Sequence, residues 1–105
     1  MTHRVPLADE AELRLGWPVR IEVEGRELCL VRCATGVYAI DDTCSHEEFS
    51  LADGDVDAEA CEIECGKHGS LFSLVTGEAL TLPATRPVAT YPVVVEDGQV
   101  IVELP

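Results

Sequence analysis

A chain of 105 residues, 47% of them hydrophobic, has enough apolar material for one packed domain and too much for disorder, but is too short to hold both a core and a large substrate cavity. Its 20 acidic residues against 7 basic ones give a formal net charge of −13, which disfavours nucleic acid and anionic membrane surfaces and favours a protein partner with a basic face. No targeting segment is visible, nor any run of the roughly 18 apolar residues that span a bilayer. A cytoplasmic protein is therefore expected, and its five cysteines point to metal binding or buried thiols before disulfides.

From the N-terminus, His3 is a lone histidine expected in solvent. Leu7 to Leu13 predicts one or two helical turns with Asp9 as N-cap. Trp17 is expected at the edge of the core. Val19, Ile21 and Val23 alternate with Arg20 and Glu22, the period of a half-buried strand. Glu24-Gly25 is a turn, and Leu28 to Arg32 is the returning strand. Thr35-Gly36 turns into Val37-Tyr38-Ala39-Ile40, and Ser50 to Asp53 is a single turn. Ala60 to Glu64 and Leu71 to Val75 are strands, with Thr76-Gly77 a turn after the second. Val88 to Glu96 and Gln99 to Leu104 flank Asp97-Gly98, the clearest hairpin, and Pro92 implies an edge or a bulge in the first run. Short strands at close spacing, with weak helix signals, imply an antiparallel sandwich or barrel.

Two loops interrupt the strands, Cys44-Ser45-His46 and Cys65-Gly66-Lys67-His68-Gly69, with 18 residues between His46 and Cys65. Each offers one thiolate and one imidazole, donors suited to zinc or an iron–sulfur centre. A zinc finger presents a cysteine pair and then a histidine pair. Here the two types alternate, which suits a two-metal cluster whose one iron takes both cysteines and whose other takes both histidines. A structural zinc site on the same four residues stays open. Cys29, Cys33 and Cys61 read as small buried hydrophobes or inert thiols, because their spacing fails the plant-type four-cysteine pattern. Residues 41 to 64 hold ten acids and no Lys or Arg, either a steering surface or a solvated face.

On these residues the sequence resembles the Rieske [2Fe–2S] family. Val37 to Asp42 leading into Cys44, Leu51-Ala52-Asp53-Gly54, His68 to Phe72, Thr76-Gly77 and Pro83 to Pro87 are similar to the ferredoxin components of bacterial Rieske oxygenase systems. The resemblance implies an all-β fold, a small antiparallel sandwich over residues 1–105, with a cluster-binding subdomain of two loops within about 41–85. It implies a [2Fe–2S] cluster on Cys44, His46, Cys65 and His68. Respiratory members carry a disulfide between the two loops, and the matching positions are Phe49 and Lys67, so that clamp is absent. Ser70 matches a hydroxyl that bonds a cluster sulfur, Phe72 stands where those members have a tyrosine, and Pro83 belongs to a third loop shielding the cluster. Low to intermediate potential follows for a Rieske centre.

The implied role is a monomeric one-electron carrier between an NAD(P)H-dependent ferredoxin reductase and a terminal oxygenase or other acceptor. It would have no catalytic site of its own. A Rieske oxygenase also needs a mononuclear iron on two histidines and a carboxylate, and of the three histidines only His3 lies outside the cluster set. No Gly-x-Gly-x-x-Gly fingerprint is present for a reductase's dinucleotide. Similar small ferredoxins accompany iron–sulfur assembly or redox sensing, which is the alternative role. A zinc-stabilised interaction module is the third, separable by colour.

Overall fold

The computed structural model describes residues 2–45, 49–67 and 69–105. Among them the chain forms ten strands: β1 (His3–Asp9), β2 (Val19–Val23), β3 (Arg26–Cys33), β4 (Gly36–Asp41), β5 (Asp55–Asp57), β6 (Glu62–Glu64), β7 (Leu71–Ser73), β8 (Thr90–Tyr91), β9 (Val93–Glu96) and β10 (Gln99–Leu104). Single 3-10 turns cover Glu10–Glu12 and Leu51–Asp53. The strands make three antiparallel sheets, in the orders β1-β10-β9, β2-β3-β4-β8 and β5-β6-β7.

Strand β3 explains the layering. It reads as an unbroken run, Leu28-Cys29-Leu30-Val31, which is how a strand covered on both faces reads. Leu28 and Leu30 join one core with Leu13, Ala39, Tyr91, Val100, Val102 and Leu104. Cys29, Val31 and Cys33 join a second core with Ile40, Leu51, Ile63, Phe72 and Leu74. The middle sheet is thus packed on both sides, by the β1-β10-β9 sheet and by the β5-β6-β7 sheet. Leu28 and Leu30 have no exposed surface, and burying each is worth about 1.5–3 kcal/mol.

The two-residue hairpins close as the sequence requires. Glu24 and Gly25 have φ of 50° and 78°, and Asp97 and Gly98 have 50° and 77°. Both central residues of each turn are left-handed, the twist that matches the flanking strands.

Four expectations need correction. The one or two helical turns expected over Leu7 to Leu13 shrink to the single 3-10 turn Glu10–Glu12 with Asp9 at its N-cap position, and Leu7 to Asp9 are the end of β1. Pairing with β10 draws Val5, Leu7 and Ala8 against the first core, and Asp9 makes no side-chain cap. The run Val88 to Glu96 splits at Pro92: β8 pairs with β4 and β9 pairs with β10, so the proline, which has no N–H to donate, marks a change of sheet. Trp17 is 62% exposed rather than at the core edge. Cys33 and Cys61, 28 positions apart, are not inert thiols but a disulfide, because the end of β3 and the turn before β6 meet on the second core with 5.6 Å between their Cα atoms. Cys29 is a buried thiol, as expected. His3 is largely exposed and meets Glu24 at 2.6 Å. No helix among the described residues is long and apolar enough to cross a membrane.

Candidate iron–sulfur centre

The first cysteine loop is closed at its base by a buried carboxylate. Leaving β4, the chain reaches Asp42, which is 1% exposed. The Ser50 hydroxyl donates to the Asp42 carboxylate at 2.6 Å and the Ala52 N–H at 3.0 Å, while the Leu51 N–H donates to the Asp42 carbonyl at 2.6 Å. Inside that clamp Thr43 bridges Ser50, and the Cys44 N–H donates to the Phe49 carbonyl at 2.9 Å. A charged group so buried stays only where it is hydrogen-bonded, and here its bonds hold the two ends of the loop together.

The second loop joins β6 to β7. The Cys65 N–H donates to the Ser70 carbonyl at 2.8 Å, and the Gly69 N–H donates to the Cys65 carbonyl at 2.9 Å. Gly69 takes φ 74°, which a glycine adopts without steric cost.

The strand pairing brings the two loops together. The first loop exits through the Leu51–Asp53 turn into β5, and β5 pairs with β6, which ends at Glu64 immediately before Cys65. Gly54 sits at the crossing, where a Cβ would lie 1.8 Å from the Glu64 carbonyl oxygen. Only glycine allows that approach. A Cβ on Gly66 would lie 3.5 Å from the Phe49 ring, so the loops are in contact. Cys44 and Cys65 consequently share one buried cluster with Leu51, Ile63, Phe72 and Ala84.

A third segment packs beside them. The Leu71 N–H donates to the Thr81 hydroxyl at 2.8 Å, and the Ser45 hydroxyl donates to the Arg86 carbonyl at 2.5 Å. Ser70 is fully buried, and its hydroxyl oxygen accepts the Ala84 N–H at 3.1 Å, which leaves the hydroxyl proton to donate elsewhere. Pro83 is exposed beside Ala84, Leu82 is 77% exposed, and Lys67 is exposed on the second loop. Phe72 is fully buried and has no hydroxyl.

His46 and His68 lie outside the described residues. Among the described residues no three potential metal ligands gather, which leaves the two thiols as the visible half of the donor set. That half fits a cluster: two cysteines on facing loops, buried in one core, with their loop backbones already hydrogen-bonded. Cys29 lies on β3, outside the two loops. Burial first, and the Asp42 charge second, push its thiol up to about 12, so it stays a neutral buried thiol at ordinary pH. Of the ten acids in residues 41–64, Asp53, Asp55, Asp57, Glu59 and Glu64 are exposed around these loops.

Asp42, Gly54 and Thr81 join the site only in the fold. Asp42 and Gly54 stood in quoted stretches, yet nothing local distinguishes a clamping carboxylate or a crowded glycine from ordinary loop residues. Their partners, eight to ten residues away in sequence, become visible only once the chain folds.

Facing cysteine loops on a layered antiparallel scaffold define a small all-β metal-cluster protein. The Rieske [2Fe–2S] domain matches residues 3–92, and the chain belongs to that family. The chain is 41% identical over 100 residues to the 3-phenylpropionate/cinnamic acid dioxygenase ferredoxin subunit of Escherichia coli (strain K12), covering 95% of this chain and 90% of that protein. The ferredoxin of carbazole 1,9a-dioxygenase from Nocardioides aromaticivorans IC177 superposes with a TM-score of 0.91 at 39% identity, covering 94% of this chain and 95% of that one. A chain from a complex of reduced oxygenase and oxidized ferredoxin in carbazole 1,9a-dioxygenase also superposes, with a TM-score of 0.88 at 31% identity, covering 94% of this chain and 91% of that one. The family makes a [2Fe–2S] cluster the cofactor and electron transfer the activity.

Proposed function

We propose that the chain, acting as one monomeric domain over residues 1–105 in the cytoplasm, carries single electrons from an NAD(P)H-dependent ferredoxin reductase to the terminal oxygenase of an aromatic-ring dioxygenase system. The reading is supported by ferredoxin subunits of such systems among its relatives. The observation that carries it is the burial of Cys44 and Cys65 in one cluster on two loops locked by Asp42 and by the β5–β6 pairing.

In this reading Cys44 and Cys65 hold one iron and His46 and His68 the other. When bound, the cluster supplies a one-electron couple whose potential imidazole ligation raises above that of four-cysteine centres. The chain's own residues shape that couple. Ser70 turns its hydroxyl proton toward the site while its oxygen holds Ala84. Phe72 and the other apolar side chains exclude water beneath the loops, Pro83 covers one flank, and Lys67 offsets part of the surrounding acid charge. The acids steer a basic partner to this face. Mixing the purified protein with a ferredoxin reductase and a terminal oxygenase in air-saturated buffer, with NADH and an aromatic substrate, tests the role. Turnover that requires this protein supports it, and full turnover without it refutes it.

A further inference from the structure

We infer that Cys33 and Cys61 are a second redox site, a dithiol–disulfide pair that controls how firmly the cluster-bearing sheet is held to the rest of the molecule. Cys33 ends β3 in the middle sheet, and Cys61 enters β6 in the outer one. The β5-β6-β7 sheet shares no strand with the middle sheet. Side-chain packing and scattered loop hydrogen bonds, such as Ala34 N–H to the Ala58 carbonyl at 3.0 Å, hold the two together without a ladder. The disulfide adds a covalent tie at this seam. It lies just before β6, whose far end leads directly into Cys65, so it anchors the strand that presents a proposed ligand.

The backbone at Cys61 supports the same conclusion. Its φ is 55°, a left-handed conformation disfavoured for a residue with a Cβ. The bond to Cys33 and the Leu74 N–H donating to the Cys61 carbonyl at 2.9 Å hold the residue there, and reduction removes the covalent one of the two. Reduction breaks the S–S bond, takes up two electrons and two protons, and leaves two thiols. The donor is a dithiol, small or protein-borne, which becomes a disulfide in return, and the reverse exchange reseals the pair. Both residues are 3% exposed, so exchange proceeds through opening of the adjoining turn, where Glu59 and Ala60 are exposed. Cys29 lies in the same core but is held as a neutral thiol, which keeps it from attacking the bond as a thiolate. The tie therefore tightens the cluster sheet under oxidising conditions, when an iron–sulfur centre is most at risk, and loosens it when thiols are reduced.

The inference rests on Cys65 as a cluster ligand, and the test separates the two claims. The holoprotein is oxidised with glutathione disulfide or reduced with tris(2-carboxyethyl)phosphine. Each sample is divided for iodoacetamide labelling in denaturant, thermal melting, and loss of cluster absorbance to a ferrous chelator. Oxidised protein should carry two fewer labels and melt about 10 °C or more above the reduced protein. Reduced protein should lose its cluster at least about tenfold faster, the factor that 1.4 kcal/mol of lost restraint gives. The double variant Cys33→Ala, Cys61→Ala should lose it fast in both buffers. If that variant does not fold, the two states of the wild-type chain decide alone. Five labels on the oxidised protein, or equal cluster loss in both wild-type states, overturns the inference. A labelling and melting difference in a protein that takes up no [2Fe–2S] cluster overturns the ligand reading instead.

Discussion

Replacing Ser70 by alanine separates two jobs of one hydroxyl. The structure gives Ser70 no exposed surface and makes its oxygen the acceptor for the Ala84 N–H at 3.1 Å, with Ala84 itself 3% exposed. Ser70→Ala strands that buried donor, at a cost of about 1–3 kcal/mol. In a domain of this size each kcal/mol moves the melting temperature by about 4–8 °C, so the variant should melt roughly 5–20 °C lower. The second job is the hydroxyl proton. A donor to a cluster sulfur binds more strongly once an electron has made the cluster more negative. Hydrogen bonds to charged groups are worth about 1.5–3 kcal/mol, and a difference of about 1 kcal/mol between redox states corresponds to roughly 40 mV for one electron. The variant's potential should fall by that amount. Calorimetry reads the first effect and protein-film voltammetry the second. An unchanged melting temperature would refute the role as anchor for Ala84. An unchanged potential at full cluster occupancy would show that the proton points away from the site.

Gly54→Ala places a Cβ 1.8 Å from the Glu64 carbonyl oxygen and should disrupt β5–β6 pairing, costing about 2–3 kcal/mol or more. Gly25→Ala, in open space at φ 78°, should cost only about 1–2 kcal/mol, and paired thermal melts with iron assays check the order. Phe72→Tyr should raise the potential by roughly 40 mV if the new hydroxyl reaches a ligand sulfur, measured by the same voltammetry. Cys29 has a folded value near 12 against an ordinary 9.0. Its contribution to stability is therefore whole below pH 9 and is lost between about pH 9 and 12, by roughly 1.4 kcal/mol per unit. Melting temperatures between pH 9 and 11 should fall less steeply in Cys29→Ala than in the wild type. Reduction by the reductase should slow as salt rises from 0.1 M to 1 M, because the screening length shrinks from about 10 Å to about 3 Å. A flat rate would make the acids a solvated face.

Period-two patterning made β2 legible to the residue, and Asp97-Gly98 located the last hairpin, because both signals are local. The cysteine loops were legible for the same reason: their donors are adjacent in sequence. The N-terminal strand was not, since Leu7 to Leu13 carries helix-compatible residues and its first three become extended only by pairing with β10, 90 or more residues away. Strand β5, three residues reading Asp-Val-Asp, has no apolar alternation to announce it. The disulfide was hidden by the compartment argument, which weighs cysteines by where they reside, whereas the bond depends on two distant turns converging on one core. Asp42 looked like one more acid in an acidic stretch until folding buried it under Ser50 and Ala52.

The central claim is the ligand set, two cysteines on one iron and two histidines on the other. Pulsed EPR of the dithionite-reduced protein tests it directly. Two strongly coupled nitrogens are expected on one iron, with one coupling lost in His46→Cys and the other in His68→Cys. A reduced [2Fe–2S] spectrum with no nitrogen coupling would contradict it and put the cluster on cysteines alone.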